Sequence, residues 1–181
     1  MKEEDYIQAR DKYKPSKVKY LLIAESPPAS GGYFYFEETT GQDSLFNATV
    51  KALDIYPENK TIPKGLDKKR MLTKFQARGF FLVDVSYKPV NDKKIPKEER
   101  QDLINKGIPE LVNKVSELDP ECIIIIKKSK KGEFFKRVRT ALENEGFGGK
   151  ILNKGAVPFP GSGNQSDYRR ILRMLIARGA T

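Results

Sequence analysis

Three short apolar runs constrain the fold of this chain more than any other feature of its sequence. They are Leu21-Leu22-Ile23-Ala24, Phe80-Phe81-Leu82-Val83 and Cys122-Ile123-Ile124-Ile125-Ile126. Successive side chains of a strand point to opposite faces, so a strand with one wet face alternates apolar and polar residues. None of the three runs alternates. Each is therefore expected to be a strand covered on both faces, as in a parallel sheet. Segments with helical spacing separate the runs, which is the order of βαβ units and points to a three-layer α/β/α domain.

The expected strands span 17–24, 80–85, 121–126 and a shorter 150–153, making a mostly parallel four-stranded sheet. Residues 1–16 read as a polar arm or a short first helix. Ser44 is a good N-cap for a helix carrying Leu45, Ala48, Thr49, Ala52 and Leu53. Further helices are expected over 66–78, closed by Gly79, over 97–118, with Pro109 marking a kink or a new start, and over 133–145. Ser166 is expected to cap a last amphipathic helix. The length, 181 residues, suits one domain over 1–181. No apolar run approaches a bilayer span, and the N-terminus has no apolar leader. A cytoplasmic protein is the default expectation, nucleoid-associated if it binds DNA, with no membrane partner.

Two absences narrow the chemistry. The chain has no histidine and a single cysteine, Cys122. Histidine-based triads are excluded, and any acid–base work falls to Asp, Glu, Lys, Tyr or water. One cysteine alone holds neither zinc nor an iron–sulfur cluster, and at its place in an apolar run it reads as a small hydrophobe. No metal and no cofactor is expected. A formal net charge of +10 favours polyanions such as nucleic acid, although a lysine-rich solvated surface reads the same way.

In open parallel sheets ligands bind beyond the carboxyl ends of the strands. Several groups stand there. Glu25, in Ala24-Glu25-Ser26-Pro27-Pro28, directly follows a buried strand. It is either a general base or cation stabiliser, or an acceptor of local backbone N–H bonds. Tyr33-Phe34-Tyr35-Phe36 offers rings that stack on a base or pack beneath a long loop. Asp84 is a lone acid in an apolar run. It either points into a cleft or pairs with Lys88 or another nearby base. The loop Pro158-Phe159-Pro160-Gly161-Ser162-Gly163-Asn164-Gln165-Ser166 leads into a helix start, where backbone N–H groups bind phosphate. Phe159 between two prolines has the form of a wedge. Arg169 and Arg170 add charge, or lie on a solvated face. The run Lys127-Lys128-Ser129-Lys130-Lys131 suits phosphate contacts or a solvated turn.

The order of these motifs resembles the uracil-DNA glycosylase superfamily, whose fold is a parallel four-stranded sheet between helices. Members carry a first-strand motif such as G-Q-D-P-Y, G-E-A-P-G or G-x-N-P-G. Ala24-Glu25-Ser26-Pro27-Pro28 stands in that place, with Glu25 matching the acid of the G-E-A-P-G type and Pro27 the shared proline. Departures accompany the match: Ala24 replaces the glycine, Ser26 the Asp or Asn of two versions, and the last-motif histidine and the iron–sulfur cysteines are absent. The resemblance implies that Phe34, with Tyr35 and Phe36 as rivals, stacks on an extruded base. Asp84 falls at the position of a base-reading asparagine. Pro158 to Ser166 falls at that of a DNA-entering loop.

The implied function is a DNA glycosylase of base-excision repair that hydrolyses the N-glycosidic bond of uracil or another deaminated base, acting as a monomer on single- or double-stranded DNA. Its catalytic residues would be Glu25 and Asp84. Ser26, Pro27, Phe34 and Tyr35 would bind the base. Lys127, Lys128, Pro158, Ser162, Asn164, Arg169 and Arg170 would bind DNA. Two alternatives stand beside it: a non-catalytic nucleic-acid-binding relative, and an unrelated α/β protein that binds a nucleotide. The absence of a P-loop and of a strand-linked G-x-G-x-x-G counts against the last.

Overall fold

A computed structural model describes residues 2–38, 43–63, 67–92, 94–127, 133–161 and 163–180. Strands β1 (Tyr20–Ala24), β2 (Phe80–Asp84) and β3 (Cys122–Ile125) form a parallel sheet in the order β2-β1-β3. Tyr20 aligns with Phe80 and Cys122, and Ala24 aligns with Asp84. Every residue from Leu21 to Ala24, from Phe80 to Asp84 and from Ile123 to Ile125 is buried. Since neighbouring residues face opposite ways, both faces of the sheet are covered.

Six helices surround it among the described residues: α1 (Glu3–Asp11), α2 (Ser44–Ala52), α3 (Lys69–Ala77), α4 (Lys97–Leu118), α5 (Glu133–Asn144) and α6 (Gln165–Gly179). Helix α4 runs unbroken through Pro109, so no new helix starts there. The proline removes one N–H donor, and burial of Ile104, Leu111, Val115 and Leu118 on the stripe around it keeps the helix in place. Gly107 lets α4 approach β2 closely: a Cβ there would lie 1.9 Å from the Val85 carbonyl oxygen.

The expected fourth strand is corrected. Segment 150–153 supplies a single parallel bridge, Ile123 with Ile151, and a 3-10 turn (Gly148–Lys150) leads into it. The Asn153 side chain then takes over the ladder. It accepts from the Ile125 N–H (3.0 Å) and donates to the Ile125 carbonyl (3.0 Å) and the Gly155 carbonyl (2.9 Å). The outer edge of β2 is closed in the same manner by the Tyr35 hydroxyl, which donates to the Leu82 carbonyl (3.1 Å) and accepts from the Leu82 N–H (2.6 Å). Side chains thus satisfy edge groups that a further strand would otherwise pair.

Two helix starts also differ from expectation. Asp43, one residue before Ser44, caps α2 by accepting from the Phe46 N–H at 3.0 Å. Helix α6 starts at Gln165 with Asn164 as its cap residue, so Ser166 lies inside the first turn.

Candidate functional site

A cavity of about 370 Å³ opens at the carboxyl ends of the strands. That is near the lower end of the range of roughly 300–1,000 Å³ usual for small-molecule sites. Each strand contributes its end: Ala24 from β1 and Glu25 after it, Leu82 and Asp84 from β2, Ile126 and Lys127 after β3. Parallel pairing in register brings these ends to one level. Val85 N–H donates to the Ala24 carbonyl and Ser86 N–H to the Glu25 carbonyl, both at 3.0 Å, so the ladder continues one step past β1 and holds Glu25 against the β2 exit.

The rest of the wall comes from the loop after β1 and from α2. Ser26, Pro27 and Pro28 form one side, and Ser26 Oγ accepts from the Val90 N–H at 3.2 Å. Asn91 is fixed by the Ala29 N–H, which donates to its Oδ1 at 2.8 Å. Phe34 and Tyr33 face the α2 residues Ser44 and Leu45 and the cap residue Asp43. Phe34 is buried yet on the wall, where its ring stands edge-on to Phe46. Phe159 lines the cavity while remaining 45% exposed, and Pro158 and Pro160 on either side of it are buried.

Asp84 is an acid of the site whose pKa is strongly raised. Its side chain is buried, and it forms no ion pair with Lys88 or with any other described residue. Burial pushes its carboxyl up to about 7, because the charged form loses water. The Tyr33 hydroxyl and the Arg10 guanidinium oppose that rise without cancelling it. Among the described residues neither the Tyr33 hydroxyl nor Asp84 Oδ2 has a hydrogen-bond partner, so the opposition from Tyr33 falls short of a bond. Arg10, itself buried, is engaged by Asp11 and by the Tyr87 hydroxyl.

Glu25 and Lys127 form an ion pair, with side chains 19% and 30% exposed. Burial pulls the Lys127 ammonium down to about 8. The adjoining carboxylate acts the other way and favours the charged lysine.

One residue that the sequence did not single out organises the wall. The Lys68 ammonium, 1% exposed, donates to the carbonyls of Tyr33 (2.9 Å) and Phe34 (3.3 Å) and to Asp43 Oδ2 (2.7 Å). It also lies 4.4 Å from the Phe46 ring centroid, a cation–π contact. A single buried cation thereby ties the aromatic loop to the start of α2. Nothing in the run Asp67-Lys68-Lys69-Arg70 marks Lys68 apart from its exposed neighbours.

Of the expected site residues, the cavity brings together Glu25, Ser26, Pro27, Phe34, Asp84 and Lys127. Tyr35 is not on its wall, being spent on the β2 edge. Pro158 is buried behind Phe159 rather than lining the cavity. Asn164 holds the Gly161 carbonyl through its side chain at 3.4 Å. Arg169 is paired with Glu58 and Arg170 with Asp167. Lys128 and Ser162 lie outside the described residues. No helix among the described residues is long and apolar enough to cross a membrane. No protein-family model matches the chain, and no curated protein matches it at a significant level.

Proposed function

We propose that the cavity receives a base extruded from DNA and that the protein hydrolyses its N-glycosidic bond. The observation that carries this reading is the convergence of Glu25, Phe34 and Asp84 on one base-sized cavity with Phe159 at its mouth. The bridge at Ile151 supports the finer fold reading, a glycosylase-like sheet whose fourth strand is reduced to one pairing.

The reaction adds water to the anomeric carbon and releases the base with the bonding electron pair, through a transition state of oxocarbenium character. Phe34 would stack on the extruded base and Phe159 would fill the gap left in the DNA stack. The Glu25 carboxylate would stabilise the positive sugar and take a proton from the attacking water. Asp84, carrying a proton for an appreciable fraction of molecules near pH 7, would donate it to the departing base. Lys127 holds the Glu25 carboxylate by its ion pair before substrate enters.

The test is base release from end-labelled oligonucleotides bearing uracil, hypoxanthine, xanthine or mismatched bases, single- and double-stranded, followed by alkaline cleavage. Wild type should release one of these bases, and Glu25→Gln should lower the rate by about 10²-fold or more. The rate should fall as pH rises through about 7, since the acid form of Asp84 is the donor, and Asp84→Asn should remove that limb.

One observation favours a second reading, a non-catalytic DNA-binding relative: the Glu25 carboxylate is already engaged by Lys127. Salt-sensitive DNA binding with no release of any base would establish it in place of the enzyme.

A further inference from the structure

A second, smaller pocket of about 180 Å³ shares Glu25 with the cavity. Its walls are the start of α4 and the start of α5, and its cations are Lys97, Arg100 and Arg137. Their pairing differs from that of Arg169, Arg170 and Arg173 on α6. Arg169 and Arg173 are held by Glu58, Arg173 also reaches Asp54, and Arg170 is paired with Asp167. Lys97 is in no ion pair among the described residues. Among the described residues Arg100 bonds only to the backbone carbonyls of Ile95 (2.9 Å) and Asp92 (2.7 Å), which fix its guanidinium without neutralising it. Arg137 leans on the neutral side chains of Asn105 (3.0 Å) and Gln101 (3.4 Å), with Glu133 no closer than 4.0 Å. The N-terminus of α4 has no side-chain cap and adds its free N–H groups to the same region.

Two acids that would repel an anion also line this pocket, Glu25 and Glu133; Glu25 is compensated by Lys127 and Glu133 lies 4.0 Å from Arg137, which leaves Lys97 and Arg100 as its cations without an acidic partner among the described residues. The two pockets therefore present an apolar, hydrogen-bonding chamber and a cationic one that share Glu25 as a lining residue. A nucleotide unit has the same layout, with a base at one end and a phosphate ester at the other, joined through a sugar.

We propose that the Lys97–Arg100–Arg137 pocket is a phosphate subsite, which holds the phosphate ester of the nucleotide unit whose base occupies the cavity and so places its sugar beside Glu25. The identity of the base rests on the function proposed above; the phosphate subsite does not require catalysis. The phosphate belongs either to a DNA strand or to a free nucleotide, and the two sources share this chemistry.

Fluorescence anisotropy with a labelled single-stranded oligodeoxynucleotide, titrated across salt concentrations, tests the subsite, with a mononucleotide as competitor. The variant is Lys97→Gln/Arg137→Gln, which spares Arg100 because that side chain holds the turn before α4. Lys114→Gln, near the other end of α4 and paired with Glu117, is the charge control. The double variant should bind the oligonucleotide at least about fivefold more weakly and lose about one unit of salt slope per contact removed, with Lys114→Gln close to wild type. Circular dichroism and the thermal midpoint check that all three fold alike. Wild-type preference for the mononucleotide, lost in the double variant, keeps the subsite and assigns the free nucleotide as its source. Equal affinity and salt slope in the double variant and Lys114→Gln overturns the subsite, as does wild type that binds neither probe. Because the readout is binding, a protein that releases no base can still pass this test, and an active glycosylase can still fail it.

Discussion

Lys68 and Asp84 are both buried charged side chains at the same cavity, 1% and 6% exposed, and they are treated in opposite ways. Lys68 stands behind the wall with an acceptor for each of its ammonium hydrogens: the carbonyls of Tyr33 and Phe34 and the carboxylate of Asp43. Asp84 stands on the wall with Oδ2 unpaired and a raised pKa. Burial disfavours the charged form of both. Only Lys68 has a neighbouring counter-charge that answers it directly. A satisfied buried charge fixes architecture, whereas an unsatisfied one facing a cavity is a cost retained in the empty protein that a ligand can relieve.

The largest effect that can break this comparison is loss of the Lys68 ammonium. Lys68→Met leaves Asp43 and two buried carbonyls without their donor. It should destabilise the protein by about 3–5 kcal/mol, the usual scale for breaking one side of a buried pair. Lys69→Met, at the exposed next position, should change stability by less than about 0.5 kcal/mol. Urea denaturation at neutral pH measures both. Equal midpoints for the two variants would show that Lys68 is no staple.

Asp84→Asn should move stability the other way. In the folded protein Asp84 takes up its proton near pH 7, against about 3.9 in an unfolded chain. Between those values the folded state keeps a proton that the unfolded state has lost. Stability from this group is therefore highest at acid pH and declines as pH rises through the window, with the whole penalty in force above about 7. Removing the charge should stabilise the protein by about 1–3 kcal/mol at pH 8, a gain that vanishes near pH 4. A variant less stable than wild type at pH 8 would mean that the carboxylate has a partner and that the two buried charges are alike.

The sequence shows the frame of this site more plainly than its fixings. The runs at 21–24, 80–83 and 122–126 are strands because an unbroken apolar run has to be covered on both faces, and α4 matches its periodic stripe over its whole length. Glu25 and Asp84 follow from their place at strand exits. What does not follow are contacts made across long stretches of chain. Asn153 mimics a strand edge, Tyr35 serves a strand 47 residues away, and Glu58 neutralises an arginine 111 residues away. Each depends on which surfaces the fold brings together, and a local pattern carries no trace of that. Lys68 is the sharpest case, since one lysine of a charged run is buried and the next is exposed.

The same contrast can be drawn within the aromatic loop, at a smaller scale. Tyr33 and Tyr35 are both buried and differ in what their hydroxyls meet: Tyr35 closes the Leu82 backbone pair, and Tyr33 has no partner. Tyr35→Phe should therefore cost about 1–2 kcal/mol, because a backbone N–H and a carbonyl on the β2 edge lose their only cover. Tyr33→Phe removes a hydroxyl that makes no bond and should be neutral or slightly stabilising. Because the Tyr33 hydroxyl is also the first group opposing the rise of Asp84, any cost of losing it should show at pH 8, where Asp84 is more ionised, rather than at pH 6. Thermal midpoints of the pair at pH 6 and pH 8 separate these effects. If Tyr33→Phe costs as much as Tyr35→Phe, the Tyr33 hydroxyl bonds Asp84 in solution, and the carboxylate facing the cavity is anchored rather than free for a ligand.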